Sequence, residues 1–219
     1  MNRRQYLRAI GAGSLATLAG CGSSGNDDVV LPEPDRQFAS KDLPYLAWGQ
    51  RVPDVSLPVA HSDRTVDLRA LDRPTLFTFF YSHCQTVCPV LIATLRTVQT
   101  HAIENGYGDG VRFRPVTFDP SRDDAERLRE FATERNVALD AGNWQFLRPE
   151  SPSRAETVVQ ERFGVSFERT GSDATEGYMF THTPMTTLVN AGGYVERAYR
   201  TKSPDREEII EDLRTVRGA

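Results

Sequence analysis

Thiols and imidazoles are scarce in this chain: its 219 residues include three cysteines and four histidines. A basic excess is missing too. Lysine and arginine total 26 against 30 aspartates and glutamates, for a formal charge of −4. That balance argues against nucleic acid as a partner, since gripping its backbone takes a basic face. Nowhere does the chain reach the ~20 consecutive apolar residues needed to span a bilayer. No internal repeat is visible. What remains is enough chain for one domain with a real core.

The first 21 residues read as an address rather than as structure. Arg3 and Arg4 precede a weakly apolar stretch, Ala9 to Ala19, and this pattern resembles the twin-arginine signal of the export route for folded proteins. The stretch ends in Leu18-Ala19-Gly20-Cys21, which resembles a lipoprotein box, with Cys21 acylated to become the new amino terminus. Loss of Arg3, Arg4 and Arg8 then takes the charge from −4 to −7. The lipid is expected to hold the domain on the outer face of the cell membrane. Residues 22–42, rich in Gly, Ser, Asp and Pro, read as a flexible tether, and the domain fills 43–219.

Within that domain, Val52–Pro58 and Thr65–Leu68 read as a short hairpin. Thr75 to Tyr81 is almost continuously apolar, as in a strand covered on both faces. Leu91, Leu95, Val98 and Ala102 recur at helical spacing. Val111 to Phe118 is a second strand, in which Pro115 must leave one side short of a donor. A helix follows Asp123-Asp124, then a short strand at Trp144–Leu147 and a helix marked by Val158, Val159 and Phe163. Met185–Val189 and Gly193–Tyr199 form a hairpin, and Ser203-Pro204 caps a last amphipathic helix. This is the thioredoxin-like α/β order, extended by an amino-terminal hairpin.

Cys84 and Cys88 lie between the first long strand and its helix, so two thiols are presented at the carboxyl edge of the sheet. Pro89 is expected to open the helix and to place Cys88 at its cap, where the positive dipole end favours a thiolate. Three intervening residues make this loop wider than a Cys-x-x-Cys loop, which suits metal capture while still permitting a disulfide. His182 is expected where the chain re-enters the sheet, just before Thr183-Pro184, and a proline opening a strand here is expected to be cis and to pack against the cysteine loop. Two sulfurs and one imidazole suit a soft metal or thiol redox chemistry. His83 is a possible further ligand, although an exposed loop histidine is the simpler reading. His61 and His101 receive no role.

Four pieces in order carry a resemblance: Cys84-x-x-x-Cys88-Pro89, Thr117-Phe118-Asp119-Pro120-Ser121-Arg122-Asp123, Trp144-Gln145-Phe146-Leu147, and His182-Thr183 followed by Gly193. From about Val52 to Tyr199 the chain resembles the Sco/SenC family of copper-binding proteins of respiratory oxidase assembly. The resemblance implies copper as the bound metal, with Cys84, Cys88 and His182 as its ligands. Asp119 would stand beside the site and tune it. The family usually carries an acidic residue just before the ligand histidine, where this chain has Thr181, so copper affinity is open to change here.

The resemblance implies a membrane-tethered metallochaperone that passes copper to the binuclear site of a cytochrome c oxidase subunit. A thiol–disulfide oxidoreductase would use the same two cysteines on that subunit or on another exported protein, recycled by a thioredoxin-like reductant. A third class, a peroxiredoxin-like peroxidase, lacks its usual threonine: Tyr81 and Gln85 stand three residues before the two cysteines. A fourth is a binding module whose cysteines only staple a loop.

Overall fold

The computed structural model describes residues 28–171 and 177–218. The signal-like segment with Cys21 and the first residues of the tether lie outside the described residues. Strands β1 (Ser56–Pro58) and β2 (Thr65–Asp67) form the antiparallel hairpin read from the sequence. Then follow β3 (Thr75–Phe80), α1 (Val87–Glu104), β4 (Arg112–Thr117) and α2 (Ala125–Glu134). Next come α3 (Pro152–Ala155), which runs on as a π-helical stretch Glu156–Arg162, and β5 (Phe167–Thr170) with β6 (Met179–His182). Strands β7 (Thr186–Val189) and β8 (Val195–Tyr199) and helix α4 (Arg206–Arg217) complete the chain.

The central sheet runs β4-β3-β7-β8, with β3 and β4 parallel and the other two pairings antiparallel. That is the thioredoxin-like arrangement. Strand β3 is buried at every position, as an uninterrupted apolar run between two covered faces should be. Phe77 and Phe79 pack on Phe163, at 5.9 and 4.9 Å between ring centres. Phe80 turns to the opposite face and meets Phe131 and Phe146 at 5.5 and 5.4 Å. Among the described residues no helix is long and apolar enough to cross a membrane.

Pro115 shapes the outer side of β4. Residues 113, 115 and 117 direct their backbone groups away from β3, where Phe113 donates to Asn143 O and Pro115 O accepts from Leu147 N. Pro115 has no N–H to give in between. Trp144–Leu147 is therefore attached by isolated bridges at Trp144 and Leu147, instead of forming the strand expected there. Ridge residues for α1 fall where their spacing predicts, with Leu91, Leu95, Val98 and Ala102 all buried.

Five local readings are corrected. Helix α1 begins at Val87 with Thr86 as its cap, so Cys88 and Pro89 both sit inside the first turn. Proline is tolerated there because the first N–H groups of a helix have no partner within it. Helix α4 is capped by Asp205, which accepts from Glu207 N and Glu208 N, and not by Ser203-Pro204. No peptide bond among the described residues is cis, so Thr183-Pro184 is trans. His182 does not sit on the central sheet: it ends β6, part of a separate two-stranded sheet with β5.

The fifth concerns residues 28–42, assigned above to a free tether. Leu31 is buried. The N–H groups of Val30 and Leu31 donate to Glu196 on β8 at 2.9–3.0 Å. Asn190 donates to Asp28 O, and Trp48 donates to Leu31 O. A buried carboxylate needs donors, and backbone N–H groups of this segment supply them.

Candidate metal centre

Cys84 occupies the loop between β3 and α1, its N–H turned back onto Tyr81 O at 3.3 Å. Cys88 follows one turn later in α1, and β6 delivers His182 from the opposite side. Cys88 Sγ lies 3.2 Å from His182 Nε2. The two sulfurs and a ring nitrogen of His182 fall within 4.8 Å of one another, and both cysteines are free. Nδ1 of His182 stands 3.3 Å from Thr183 O. A carbonyl can only accept, so Nδ1 is the donor in that contact and Nε2 is the ring nitrogen that faces the sulfurs.

An aromatic wall backs the imidazole. Phe118 lies 5.1 Å from the His182 ring, and Phe167, Phe180 and Tyr81 each pack against Phe118 at 4.7–5.5 Å. The Tyr81 hydroxyl accepts from Phe180 N at 3.2 Å and points at Met179 Sδ at 3.8 Å. Burial, with the cysteine sulfurs as further contributors, pushes its pKa up to about 12, so it remains a neutral donor. This wall holds β6 against the cysteine loop.

The two thiols are pulled apart in acidity. A hydrogen bond from Cys88 holds the Cys84 sulfur well below the usual thiol range, with His182 adding to the effect. Burial, then the Cys84 neighbour, pushes Cys88 up. Cys84 is therefore the more acidic of the two and Cys88 the less acidic, the reverse of what the helix dipole alone suggests for Cys88. Cys88 is fully buried while Cys84 retains 4% exposure. Loss of hydration outweighs the dipole at the buried sulfur.

Asp119 touches none of the three. Arg122 Nε donates to it at 2.5 Å and Tyr178 Oη at 2.7 Å, so it secures the approach to β6. The contact to the cysteine loop comes instead from Asp123, which accepts from the backbone and the hydroxyl of Ser82. Sequence reading placed Asp123 in a turn and gave it no role. His83 joins Asp119 and Asp123 in a second group of closely spaced donors, but both carboxylates there are already engaged by the donors just named. Thr181 is exposed, and its partner across the strand pair is Glu168. His61 rests against Phe146, and His101 contacts Tyr107; neither enters the site.

Comparison with known proteins agrees with this architecture. A curated relative, the SCO1 protein homolog of Bacillus subtilis, is 26% identical over 143 residues, spanning 64% of this chain and 69% of the relative. The crystal structure of Arabidopsis thaliana ScoI with copper bound superposes with a TM-score of 0.63 at 19% identity, covering 78% of this chain and all of that one. BsSco, described as a member of the Sco family of cytochrome c oxidase assembly proteins with a disulfide switch, superposes at 0.60 with 21% identity, covering 80% and 96%. At these identities the superpositions establish the fold. The SCO1/SenC family model matches residues 58–218, which takes in the sheet, both thiols and His182, and the chain thus belongs to the SCO1/SenC family.

Proposed function

We propose that the chain binds copper through Cys84, Cys88 and His182 and passes it to the binuclear copper site of a respiratory oxidase subunit. One observation carries this reading: three soft or borderline donors from two distant parts of the chain converge within 4.8 Å. Bonds of about 2.3 Å to sulfur and about 2.0 Å to nitrogen place donors that share one ion roughly 4 Å apart, so little movement is needed to seat it. A thiolate, a thiol that ionises on binding and an imidazole suit Cu(I) in a three-coordinate arrangement. The ion is cargo here. A groove of about 480 Å³ opens beside it between Thr86, Val87 and Val90 on one side and Phe180, Thr181 and His182 on the other. Through that opening a recipient's thiolates can displace the ligands one at a time.

The proposal extends to the amino terminus. Acylation of Cys21 would tether the domain to the outer face of the membrane, where an oxidase subunit exposes its copper site. The reading is tested by loading the anaerobically purified domain with copper. One equivalent of Cu(I), and a strong sulfur-to-metal charge-transfer band on adding Cu(II), are expected. A domain that takes up no copper with both thiols reduced would end the metal reading.

A second reading is supported by the divided acidity of the thiols. In it, the Cys84 thiolate attacks a disulfide of an exported recipient, forming a mixed disulfide and releasing one recipient thiolate. Cys88 then displaces the other recipient sulfur and closes the Cys84–Cys88 disulfide. Two electrons pass to the recipient, whose cysteines leave as thiols, and a thioredoxin-like reductant restores the pair.

A further inference from the structure

Asp123 is a fully buried carboxylate. His83 lies at its edge, with Nδ1 3.7 Å from Oδ1. The carboxylate oxygens are satisfied at shorter range by neutral donors. Oδ1 accepts from Ser82 Oγ at 2.6 Å, and Oδ2 accepts from Ser82 N at 3.0 Å and from Thr117 Oγ1 at 2.5 Å. Burying a carboxyl group is costly unless hydrogen bonds compensate it. A position that only had to fill space or terminate β4 would not need one.

What the carboxylate joins is specific. Ser82 lies two residues before Cys84, and Thr117 ends β4 directly before Phe118, the ring that backs His182 at 5.1 Å. One side chain thus fastens the thiol loop and the wall behind the imidazole to the same point. Ser82 Oγ is held from its other side by Arg127 Nε at 3.0 Å, itself clamped by Glu134 at 2.8 and 3.1 Å. The loop is thus tied down two residues before Cys84.

We propose that Asp123 is a positioning residue that sets the separation of the Cys84 and Cys88 sulfurs, holding them at metal-bridging distance and opposing disulfide closure. A disulfide needs its sulfurs at about 2.05 Å, whereas an ion shared at about 2.3 Å per bond keeps them well apart. Releasing Ser82 lets the loop close. Loss of Asp123 should therefore weaken copper binding and favour the oxidised pair together, two changes of opposite sense at the same sulfurs. Only the first of these rests on the copper reading above.

The test compares Asp123→Asn and Ser82→Ala with Glu196→Gln. Glu196 is also fully buried and hydrogen bonded, but by Val30, Leu31 and Asn190 at the far end of the sheet. It serves as a control for loss of stability alone. Two quantities are read: Cu(I) affinity against a chelator, and the equilibrium of the dithiol with glutathione disulfide, which yields the protein disulfide and two glutathione thiols. Asp123→Asn should weaken copper 10- to 100-fold, the range for partners that orient ligands. It should also move the thiol equilibrium at least about tenfold toward the disulfide. Glu196→Gln should leave both unchanged. Ser82→Ala keeps the backbone bond to Asp123 and should shift both in the same directions by less. Asp123→Asn matching Glu196→Gln in both readouts would overturn the proposal. Should Asp123→Asn not fold, wild-type values for Ser82→Ala would do the same. A wild-type protein without copper affinity defeats the metal reading, and the glutathione equilibrium then decides on Asp123 by itself.

Discussion

His182 Nε2 stands 3.2 Å from Cys88 Sγ although 94 residues separate them in the chain. The contact is made by β6, whose last residue is His182, leaning on the aromatic wall of Phe118 and Phe180. His182→Ala removes one of three donors and leaves both thiols in place. Its Cu(I) affinity should fall by more than the about 100-fold upper range for an outer partner. The Cys84–Cys88 pair should still oxidise and reduce. Chelator competition and thiol titration on the same sample check the two halves. Unchanged affinity would remove His182 from the site.

If the thiol exchange reading holds, the two cysteines are not equivalent. Cys84 is the more acidic and the less buried sulfur, so it attacks first and Cys88 resolves. Cys88→Ser should trap a mixed disulfide with a small disulfide substrate, visible as an added mass on the intact protein. Cys84→Ser should trap little or none. Equal trapping by both variants would contradict the assignment.

Tyr199 makes alkaline stability a readable quantity. Its hydroxyl donates to Asp212 Oδ2 at 2.8 Å, and burial, with Asp212 adding to it, raises its pKa well above the usual tyrosine value. The folded state keeps this proton while the unfolded chain loses it at about pH 10. The contribution is therefore whole below pH 10 and is lost progressively as pH rises beyond it. Tyr199→Phe should cost about 1 kcal/mol at pH 7 through the lost hydrogen bond. Above pH 10 its urea stability should fall less steeply than that of the wild type. Parallel pH profiles would show that Tyr199 does not titrate on unfolding.

The segment 28–42 should add stability. A protein beginning at residue 43 loses the buried Leu31 side chain, worth about 1.5–3 kcal/mol, and takes two backbone donors from Glu196. It should unfold at lower urea than a protein beginning at residue 28, by at least about 2 kcal/mol. Restoring a neutral group with Glu196→Gln in the shorter protein should recover part of the loss, because the orphaned charge is gone. Equal midpoints for the two lengths would mean the segment is only loosely laid on β8.

Much of this was legible in the order of residues. The run Thr75–Phe80, the ridge Leu91-Leu95-Val98-Ala102 and the hairpin on either side of His61–Arg64 each carry their own period, and periodicity is a local property. The strand pair bearing His182 was not legible. Phe167–Thr170 and Met179–His182 are four residues each and mostly polar, so no pattern announces them, and they pair across a polar connection. The anchoring by Asp123 was hidden for a related reason: its partners, Ser82 in the loop after β3 and Thr117 at the end of β4, come from two different places in the chain.

Local sequence determined the long strand β3, the buried ridge of α1, the amino-terminal hairpin and the spacing of the thiols within one loop, because each depends on residues within a turn or two of one another. Tertiary structure alone decided which carboxylate serves the thiol loop, which sulfur is the more acidic and how residues 28–42 pack on β8. Those outcomes turn on burial and on donors brought in from distant strands. Desolvation at Cys88 exceeds the helix dipole, and no reading along the chain can weigh a field against a loss of water before the surrounding walls are in place.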